Sequence, residues 1–288
     1  MSEPVSIELN LSGLRAVLEE DRWYPGSYRL IVDGTPQSHV HPEEPTELYF
    51  EYVRRIGHVI DQLRPAGEPI TAVHFGAGAF TLPRYIEATR PGSRQQVVEL
   101  ERDLVDFVRE HLPLPKDASI RIRYGDAREV AGRLPAGLLG SADLVVVDIF
   151  SGARTPGHVT SIEFYTEVIR LLKPDGLVAV NVADGPGMSF ARSQAATLEF
   201  ALPHVAVLAE AQVLKGRRYG NFVVIASPSE LPLEWMPRLL AAGPHPSRIV
   251  FGRELRDWIA GAPVVTDATA VPSPPPGRTI FQVGRGKA

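Results

Sequence analysis

The chain has 288 residues, of which 44% are hydrophobic and 22% are charged, a composition typical of a globular protein with a large buried core. It contains no cysteine, which excludes disulfides, a thiolate nucleophile and cysteine-ligated metals. The formal net charge of −4 argues against a general nucleic-acid-binding protein. No apolar run approaches the roughly 20 residues that cross a membrane, and the first residues lack a basic segment followed by an apolar one, so we expect a cytoplasmic protein.

The N-terminal part of the chain predicts β structure. Residues 5–40 contain alternating and β-branched residues, with a turn signal at Asp33-Gly34. Residues 46–63 then predict a helix, because apolar side chains recur every four positions. We therefore expect a small β-hairpin element over residues 1–45, followed by one larger domain over residues 46–288.

From residue 70 onwards, short apolar runs alternate with helical segments. The runs lie at 70–75, 96–100, 120–124, 144–148 and 177–182. This alternation implies right-handed βαβ units, and hence a Rossmann-like α/β fold with a doubly wound, mostly parallel sheet. Further on, the pattern predicts strands at 204–209 and 221–226, helices at 232–242 and 252–259, and a stiff extended segment at 271–277.

Two motifs at the predicted carboxyl ends of the first two parallel strands point to a nucleoside site, because such sheets bind ligands at that edge. Gly76 and Gly78 allow the backbone to approach a ligand closely where a helix begins, although a tight turn without a ligand is the alternative. Glu99 ends the second strand, where its carboxylate can accept hydrogen bonds from both ribose hydroxyls. A solvated charge at the strand end is the alternative.

The next two strands end on further carboxylates. Asp126, followed by Ala127, can accept a hydrogen bond from the exocyclic amine of adenine, or it can cap the helix that follows. Asp148 ends the fourth run, at the rim where a substrate is expected, with helix capping as its alternative. The glycines, Glu99 and Asp126 also form the pattern of class I methyltransferases.

In this order and spacing, the motifs resemble those of the polyamine aminopropyltransferases, the spermidine and spermine synthases, over residues 27–226. Four further segments resemble motifs of the family. Asp33-Gly34-Thr35-Pro36-Gln37 resembles D-G-x-x-Q, and residues 49–52 resemble Y-x-E-M. Residues 99–101 resemble E-I-D, and residues 148–165 resemble D-S-S-D-P…Y-Y. The resemblance implies the fold of class I S-adenosylmethionine-dependent transferases. It also implies transfer of an aminopropyl group to a small-molecule amine.

The resemblance implies specific roles for residues of this chain. The co-substrate would be S-adenosylmethionine or its decarboxylated form, with no permanently bound cofactor. Donor-binding roles fall on Gln37, Gly76, Gly78, Glu99, Asp126, Ala127 and Asp148. Catalytic roles fall on Asp148, Ser151 and Tyr49. No metal is expected, since the close pair His39 and His41 shows no ligand spacing and indicates an exposed loop.

Two positions depart from the family pattern. Ala79 stands where the family has an aspartate that contacts the amine of the donor, and Ser151 stands where a second aspartate helps to deprotonate the attacking amine. A protonated acceptor amine needs anionic partners and a base. The replacements therefore predict weak or absent transfer to putrescine.

Three functions remain open at the level of sequence. The first is a spermidine synthase-like transferase of an aminopropyl or other alkyl group with an altered acceptor site. The second is a methyltransferase, which Ala79 favours because an aspartate there would repel the carboxylate of intact S-adenosylmethionine. The third is a non-catalytic nucleoside-binding homologue. We also expect a homodimer or larger homo-oligomer, because residues 1–45 present strand edges that need cover, and because they resemble the family's N-terminal element. No nucleic acid or membrane is expected as a partner.

Overall fold

The computed structural model describes residues 3–242 and 246–276, whose strands form two sheets. The first is an antiparallel meander in the order β1-β2-β3-β4. Its strands span Val5–Glu8, Arg15–Glu20, Tyr28–Val32 and Thr35–Val40. The turn at Asp33 and Gly34 has φ values of 48° and 73°, as a two-residue hairpin of type I′ requires. The predicted N-terminal β element is confirmed, with the turn at the expected dipeptide.

In the described part of the chain, the second sheet has the strand order β12-β10-β11-β9-β8-β5-β6-β7. These strands span Thr71–Phe75 (β5), Arg94–Glu99 (β6), Ser119–Tyr124 (β7), Ala142–Val147 (β8), Leu172–Asp184 (β9), His204–Glu210 (β10), Gly220–Ser227 (β11) and Ser247–Phe251 (β12). Strands β7, β6, β5, β8 and β9 pair in parallel, and β11, β10 and β12 extend the sheet in antiparallel pairs. The predicted Rossmann-like, mostly parallel sheet is confirmed, and β12 is an addition that the sequence pattern did not predict.

The helices cover both faces of this sheet. They span Glu51–Leu63 (α1), Thr81–Thr89 (α2), Arg102–His111 (α3), Ala127–Ala131 (α4), Ile162–Ile169 (α5), Ser189–Ala201 (α6), Ala211–Leu214 (α7), Met236–Ala241 (α8) and Gly252–Ile259 (α9). In β8, Val145 and Val147 face the core formed with α5 and α6, whereas Leu144 and Val146 face the core formed with α1 and α2. Successive side chains point to opposite faces of a strand, so this alternation shows that the sheet is buried on both sides.

The meander packs against the large sheet through a third core. Leu30 and Val32 of β3 share this core with Val105 and Phe107 of α3. Ser38 of β4 accepts a hydrogen bond from the backbone N–H of Ala79, at 3.0 Å. The meander therefore lies beside the carboxyl end of β5, where the predicted site is located.

Two of the helices begin four or five residues later than predicted. The helix predicted over 46–63 begins at Glu51, and the helix predicted over 232–242 begins at Met236. Gly277, the end of the predicted extended segment, lies outside the described residues. None of the helices in residues 3–242 and 246–276 has both the length and the apolar character that crossing a membrane demands.

Candidate functional site

A cavity lies over the carboxyl ends of β5, β6, β7 and β8. The chain runs outward from β5 to β7 and then returns to the opposite side of β5 with β8, so the cavity lies at the switch point of the sheet. Its lining includes all seven residues predicted to bind the donor, and Ser151 as well. These are Gln37, Gly76, Gly78, Glu99, Asp126, Ala127, Asp148 and Ser151. Residues that are distant in sequence are thus brought to one place.

The two glycines are required by close packing of the backbone. Gly76 has a φ of 101°, and a Cβ atom there would lie 2.1 Å from the carbonyl oxygen of Asp148. Gly78 has a φ of 50°, and a Cβ atom there would lie 2.4 Å from the hydroxyl of Ser38. The loop after β5 therefore lies tightly between β8 and β4. The tight turn is therefore observed, and close approach of these glycines to a ligand stays a prediction.

Glu99 is held in place by backbone donors. Its carboxylate accepts hydrogen bonds from the N–H of Ala77 at 2.9 Å and from the N–H of Glu101 at 3.0 Å. Burial raises the pKa of Glu99, while these backbone N–H groups act in the opposite direction. Glu99 is thus a fixed, half-buried acceptor in the cavity wall, unlike a freely solvated charge at a strand end.

Asp126 makes two kinds of contact. Its Oδ1 accepts hydrogen bonds from the N–H groups of Arg128 and Glu129, at 2.9 and 3.2 Å, and so caps α4. Its Oδ2 lies 2.7 Å from Nε2 of His158, which also lines the cavity. The capping alternative is therefore observed, and one carboxylate oxygen still lies in the wall beside an imidazole that sequence reasoning missed.

Asp148 lies at the end of β8 in a network with two further side chains. Its Oδ1 accepts a hydrogen bond from Nδ2 of Asn181 at 2.8 Å, and its Oδ2 accepts one from the hydroxyl of Tyr52 at 3.1 Å. Removal from water raises the pKa of Asp148, and burial together with the Asp148 charge raises that of Tyr52 well above its usual value. Asp148 caps no helix among the described residues. Tyr52 therefore keeps its proton, and Asp148 is a base made stronger by its surroundings.

Tyr49, predicted to be catalytic, does not lie in this cavity. Its side chain is 42% exposed and stacks on His39, with ring centroids 4.2 Å apart. Because α1 begins only at Glu51, Tyr49 precedes the helix, and it is Tyr52 in the first turn that points to Asp148. Tyr52, which the sequence analysis did not single out, is therefore the tyrosine that contacts Asp148, and the catalytic role of Tyr49 stays a prediction.

The structure corrects the interpretation of His39 and places a further histidine, His74, in the core. His39 was expected in an exposed loop but is buried at the end of β4, where it contacts Tyr49. His74 is buried in β5 within 3.0 Å of Gln95, and burial lowers its pKa to about 4, so it is neutral. Among residues 3–242 and 246–276, no three His, Asp or Glu side chains are grouped as metal ligands would be.

The two positions that depart from the family pattern differ in their surroundings. Ser151 is exposed at the cavity rim, where its backbone pairs with Arg154. The next residue, Gly152, accepts a hydrogen bond from Nε2 of Gln37 at 2.6 Å, which ties the rim to the meander. Ala79 is fully buried in the core beneath the meander and is absent from the cavity lining. Only Ser151 therefore borders the site directly.

A second chamber adjoins the cavity. Gln37, Tyr52, Phe150 and Gly152 border both spaces. The second chamber is also lined by Phe50, Glu51, Asn181, Arg218, Tyr219 and Pro276. Two side chains of its wall, Tyr52 and Asn181, are the hydrogen-bond partners of Asp148, so the Asp148 network joins the two spaces.

Comparisons with curated proteins give two relatives of one kind. The polyamine aminopropyltransferase of Vibrio vulnificus (strain CMCP6) is 27% identical over 135 residues, which are 46% of this chain and 44% of that protein. The probable polyamine aminopropyl transferase of Bifidobacterium longum (strain NCC 2705) is 27% identical over 120 residues, 41% of this chain and 26% of that protein. The matches thus span less than half the length of these relatives. No family model matches the chain.

Solved structures extend the comparison over almost the whole chain. A probable spermidine synthase from Corynebacterium glutamicum ATCC 13032 is 30% identical, with a TM-score of 0.83, and the match covers 93% of this chain and 97% of that one. A spermidine synthase in complex with the transition state analogue AdoDATO gives a TM-score of 0.61 at 15% identity, and the match covers 90% of this chain and 83% of that one. Spermidine synthase from Thermotoga maritima gives 0.58 at 15% identity, covering 92% and 85%. The last two share the fold.

Proposed function

This chain belongs to the spermidine synthase-like family of polyamine aminopropyltransferases, and from that premise we propose that it transfers an aminopropyl group to an amine. The co-substrate would be decarboxylated S-adenosylmethionine, bound in the cavity over β5 to β8. Glu99 would accept hydrogen bonds from the ribose hydroxyls, and Asp126 would face the adenine. The fixed, half-buried position of Glu99 supports the first of these roles.

The observation that carries the proposal is that Asp148, in the wall of the first cavity, accepts hydrogen bonds from Tyr52 and Asn181, which line the second chamber. In the reaction, the acceptor nitrogen attacks the methylene carbon bound to the sulfonium of the donor. A C–N bond forms, the C–S bond breaks, and methylthioadenosine leaves with the electron pair. The nitrogen must lose a proton, and the Asp148 carboxylate, whose pKa is raised, would be the base that accepts it.

Tyr52 and Asn181 would act as positioning residues for this base. Each donates a hydrogen bond to a different oxygen of Asp148. Together they fix the plane of the carboxylate without protonating it, because the pKa of Tyr52 is raised by burial and by Asp148. This arrangement would hold the base in one orientation in the wall of the donor cavity.

We further propose that transfer to putrescine is weak or absent. The Ser151 hydroxyl at the rim cannot replace a carboxylate as an anionic partner of an ammonium. The Ala79 side chain lies in the core, so it supplies no polar group to the donor. For the same reason Ala79 no longer argues for intact S-adenosylmethionine, while the glycines, Glu99 and Asp126 fit a donor of either kind.

The test is turnover by an Asp148→Asn variant. We expect methylthioadenosine to bind as to the unmodified protein, while amine-dependent release of methylthioadenosine falls by about 10²–10⁴-fold, the usual contribution of a general base. Asp184→Asn is the matched control, because Asp184 is also a buried carboxylate at a strand end whose pKa burial raises, but it lines neither space. Equal turnover by the Asp148 variant and the unmodified protein would refute the assigned base.

A further inference from the structure

The second chamber carries few charges. Among the described residues that line it, the charged side chains are Glu51 and Arg218. Much of the remaining wall is aromatic or apolar, including Phe50, Phe150 and Pro276. The chemistry of the molecule that fits this chamber therefore depends on what those two side chains offer to it.

The negative charge of Glu51 is already shared between two guanidinium groups. One carboxylate oxygen lies 3.1 Å from Nη2 of Arg55, and the other lies 3.9 Å from Nη2 of Arg218. Arg55 is buried, so this partner is fixed within the protein. An incoming ammonium would have to compete with two arginines for the same carboxylate.

Arg218 presents the opposite charge to the chamber. The carboxylates of Glu51 and Glu210 both contact its Nη2 atom. Nε and Nη1 carry further donors, and 47% of the side chain is exposed. A guanidinium of this kind is suited to a carboxylate, which can accept two parallel hydrogen bonds from it.

The inner end of the chamber is suited to an amine. Asn181 is buried and donates Nδ2 to Asp148, while its Oδ1 has no hydrogen-bond partner among the described residues. A buried acceptor without a partner is costly, and an N–H group of a ligand would satisfy it. This acceptor lies next to the base that would take the proton of the amine.

We propose that the acceptor is an amine that carries a carboxylate at its other end, and that Arg218 selects it. The inference rests on the proposed aminopropyl transfer. The amine lies at the inner end, against Asn181 and Asp148, and the carboxylate lies at the outer end, against Arg218. A diamine of the same length would place its second ammonium beside the guanidinium, and the nearby carboxylates of Glu51 and Glu210 could receive it only by giving up their arginine partners, which costs affinity.

The first arm of the test compares three acceptors of equal chain length with the unmodified protein and decarboxylated S-adenosylmethionine. They are γ-aminobutyrate, butylamine and putrescine, whose far ends are anionic, neutral and cationic. We expect kcat/KM for release of methylthioadenosine to fall in that order, with about tenfold or more between the first and the last. Putrescine as the best of the three would overturn the inference.

The second arm uses Arg218→Gln and Arg218→Glu, with Arg217→Gln as the matched control, since Arg217 is an exposed neighbour that does not line the chamber. Loss of a charge-assisted pair should raise KM for γ-aminobutyrate by about tenfold or more. The KM for butylamine should stay nearly unchanged. In the Arg218→Glu variant, kcat/KM for putrescine should exceed that for γ-aminobutyrate. An equal decrease in kcat/KM for all three acceptors would show that Arg218 has only a structural role, and would overturn the inference.

A binding measurement separates this inference from the function on which it rests. If methylthioadenosine does not bind to the unmodified protein in calorimetry, the proposed transfer itself fails, and the inference falls with it. If methylthioadenosine binds but γ-aminobutyrate supports no release, the proposed donor site stands and the acceptor class is wrong.

Discussion

At the scale of single residues, Glu99 is a carboxylate that backbone hydrogen bonds fix in the wall of the donor cavity. Its two oxygens already accept backbone hydrogen bonds, and each retains a further lone pair toward the cavity. We expect Glu99→Ala to weaken binding of methylthioadenosine by on the order of 100-fold, because two charge-assisted hydrogen bonds contribute roughly 3 kcal/mol. Isothermal calorimetry measures this, with the exposed Glu110→Ala as control. An unchanged Kd would show that Glu99 does not contact the ribose.

The raised pKa of Asp148 predicts the direction of a pH effect. A carboxylate accepts a proton only when it is ionised, so kcat/KM should fall as the pH drops through the pKa of Asp148. That pKa is raised by burial, so the fall should begin at a higher pH than for an ordinary aspartate. The pH profile of kcat/KM for the unmodified protein should show this fall on the acid side, and the profile of the residual activity of Asp148→Asn should lack it. A profile shared by both proteins would contradict the prediction.

The carboxylates of the site were predictable, but their partners were not. Glu99, Asp126 and Asp148 each follow an apolar strand, and parallel strands end at one edge of the sheet. Tyr52 and Asn181 lie 96 and 33 residues from Asp148 along the chain. Their contacts exist only because α1 packs on one face of the sheet and β9 pairs with β8, and no local sequence pattern predicts such packing.

At the scale of elements, the loop between β5 and α2 depends on a glycine more than the other turns do. Gly76→Ala would combine a positive φ with a Cβ atom 2.1 Å from a backbone oxygen. Gly34→Ala is the matched control, since Gly34 has a φ of 73° but nothing within 4 Å of its Cβ position. We expect the control to lose roughly 1–2 kcal/mol from backbone strain alone. The Gly76 variant should lose at least a further 1–3 kcal/mol in urea unfolding, because a backbone clash cannot be relieved by rotating a side chain. Equal losses would contradict the close packing.

Burial also decides which elements the sequence could predict. Every residue of β8 is buried, so its continuous apolar run indicates a central parallel strand. Strand β12 is a short strand at the edge of the sheet, and its first and last residues are Ser247 and Phe251, the latter exposed. Such a segment has no distinctive periodicity, and only its pairing with β10 makes it a strand.

At the scale of the whole molecule, we expect two copies of the chain to associate through the meander. Trp23 is 73% exposed and Tyr24 is 50% exposed, and the ring of Tyr24 packs against Tyr49 with centroids 5.1 Å apart. Exposed aromatic groups of this kind mark interaction surfaces. Light scattering at micromolar concentration should give twice the chain mass of 31.5 kDa. Trp23→Ser should lower this mass, whereas Trp235→Ser, at an exposed tryptophan beside α8, should not. A monomer in the unmodified protein would refute the expectation.

The segment after α9 connects distant parts of the site. The hydroxyl of Ser273 accepts a hydrogen bond from the backbone N–H of Thr155, and its carbonyl accepts one from Nε of Arg154 at 2.6 Å. The segment therefore lies along the rim that carries Ser151. The sequence predicted only that residues 271–277 are extended. Where such a segment docks depends on contacts with residues more than a hundred positions away. Its described end, Pro276, reaches the second chamber.

One ion pair fastens this segment to the rim. Asp267 contacts Nη1 and Nη2 of Arg128 at 2.6 Å each, and Arg128 also donates to the carbonyl of His158 in the rim. Arg128 lowers the pKa of Asp267, so the stabilisation is present above the ordinary aspartate pKa and is lost as the pH falls through the lowered value.

Asp267→Ala should therefore loosen the rim at neutral pH. We expect amide hydrogen exchange in residues 155–162 to accelerate by about three- to tenfold, since a bidentate pair at a partly exposed site contributes modestly. Asp257→Ala is the control, because Asp257 lies on α9 and pairs only loosely with Arg253, at 3.9 Å. The donor cavity shares this rim through His158, so affinity for methylthioadenosine should fall in parallel with the loss of protection. Faster exchange without any loss of affinity would mean that the segment stabilises the rim without shaping the donor site.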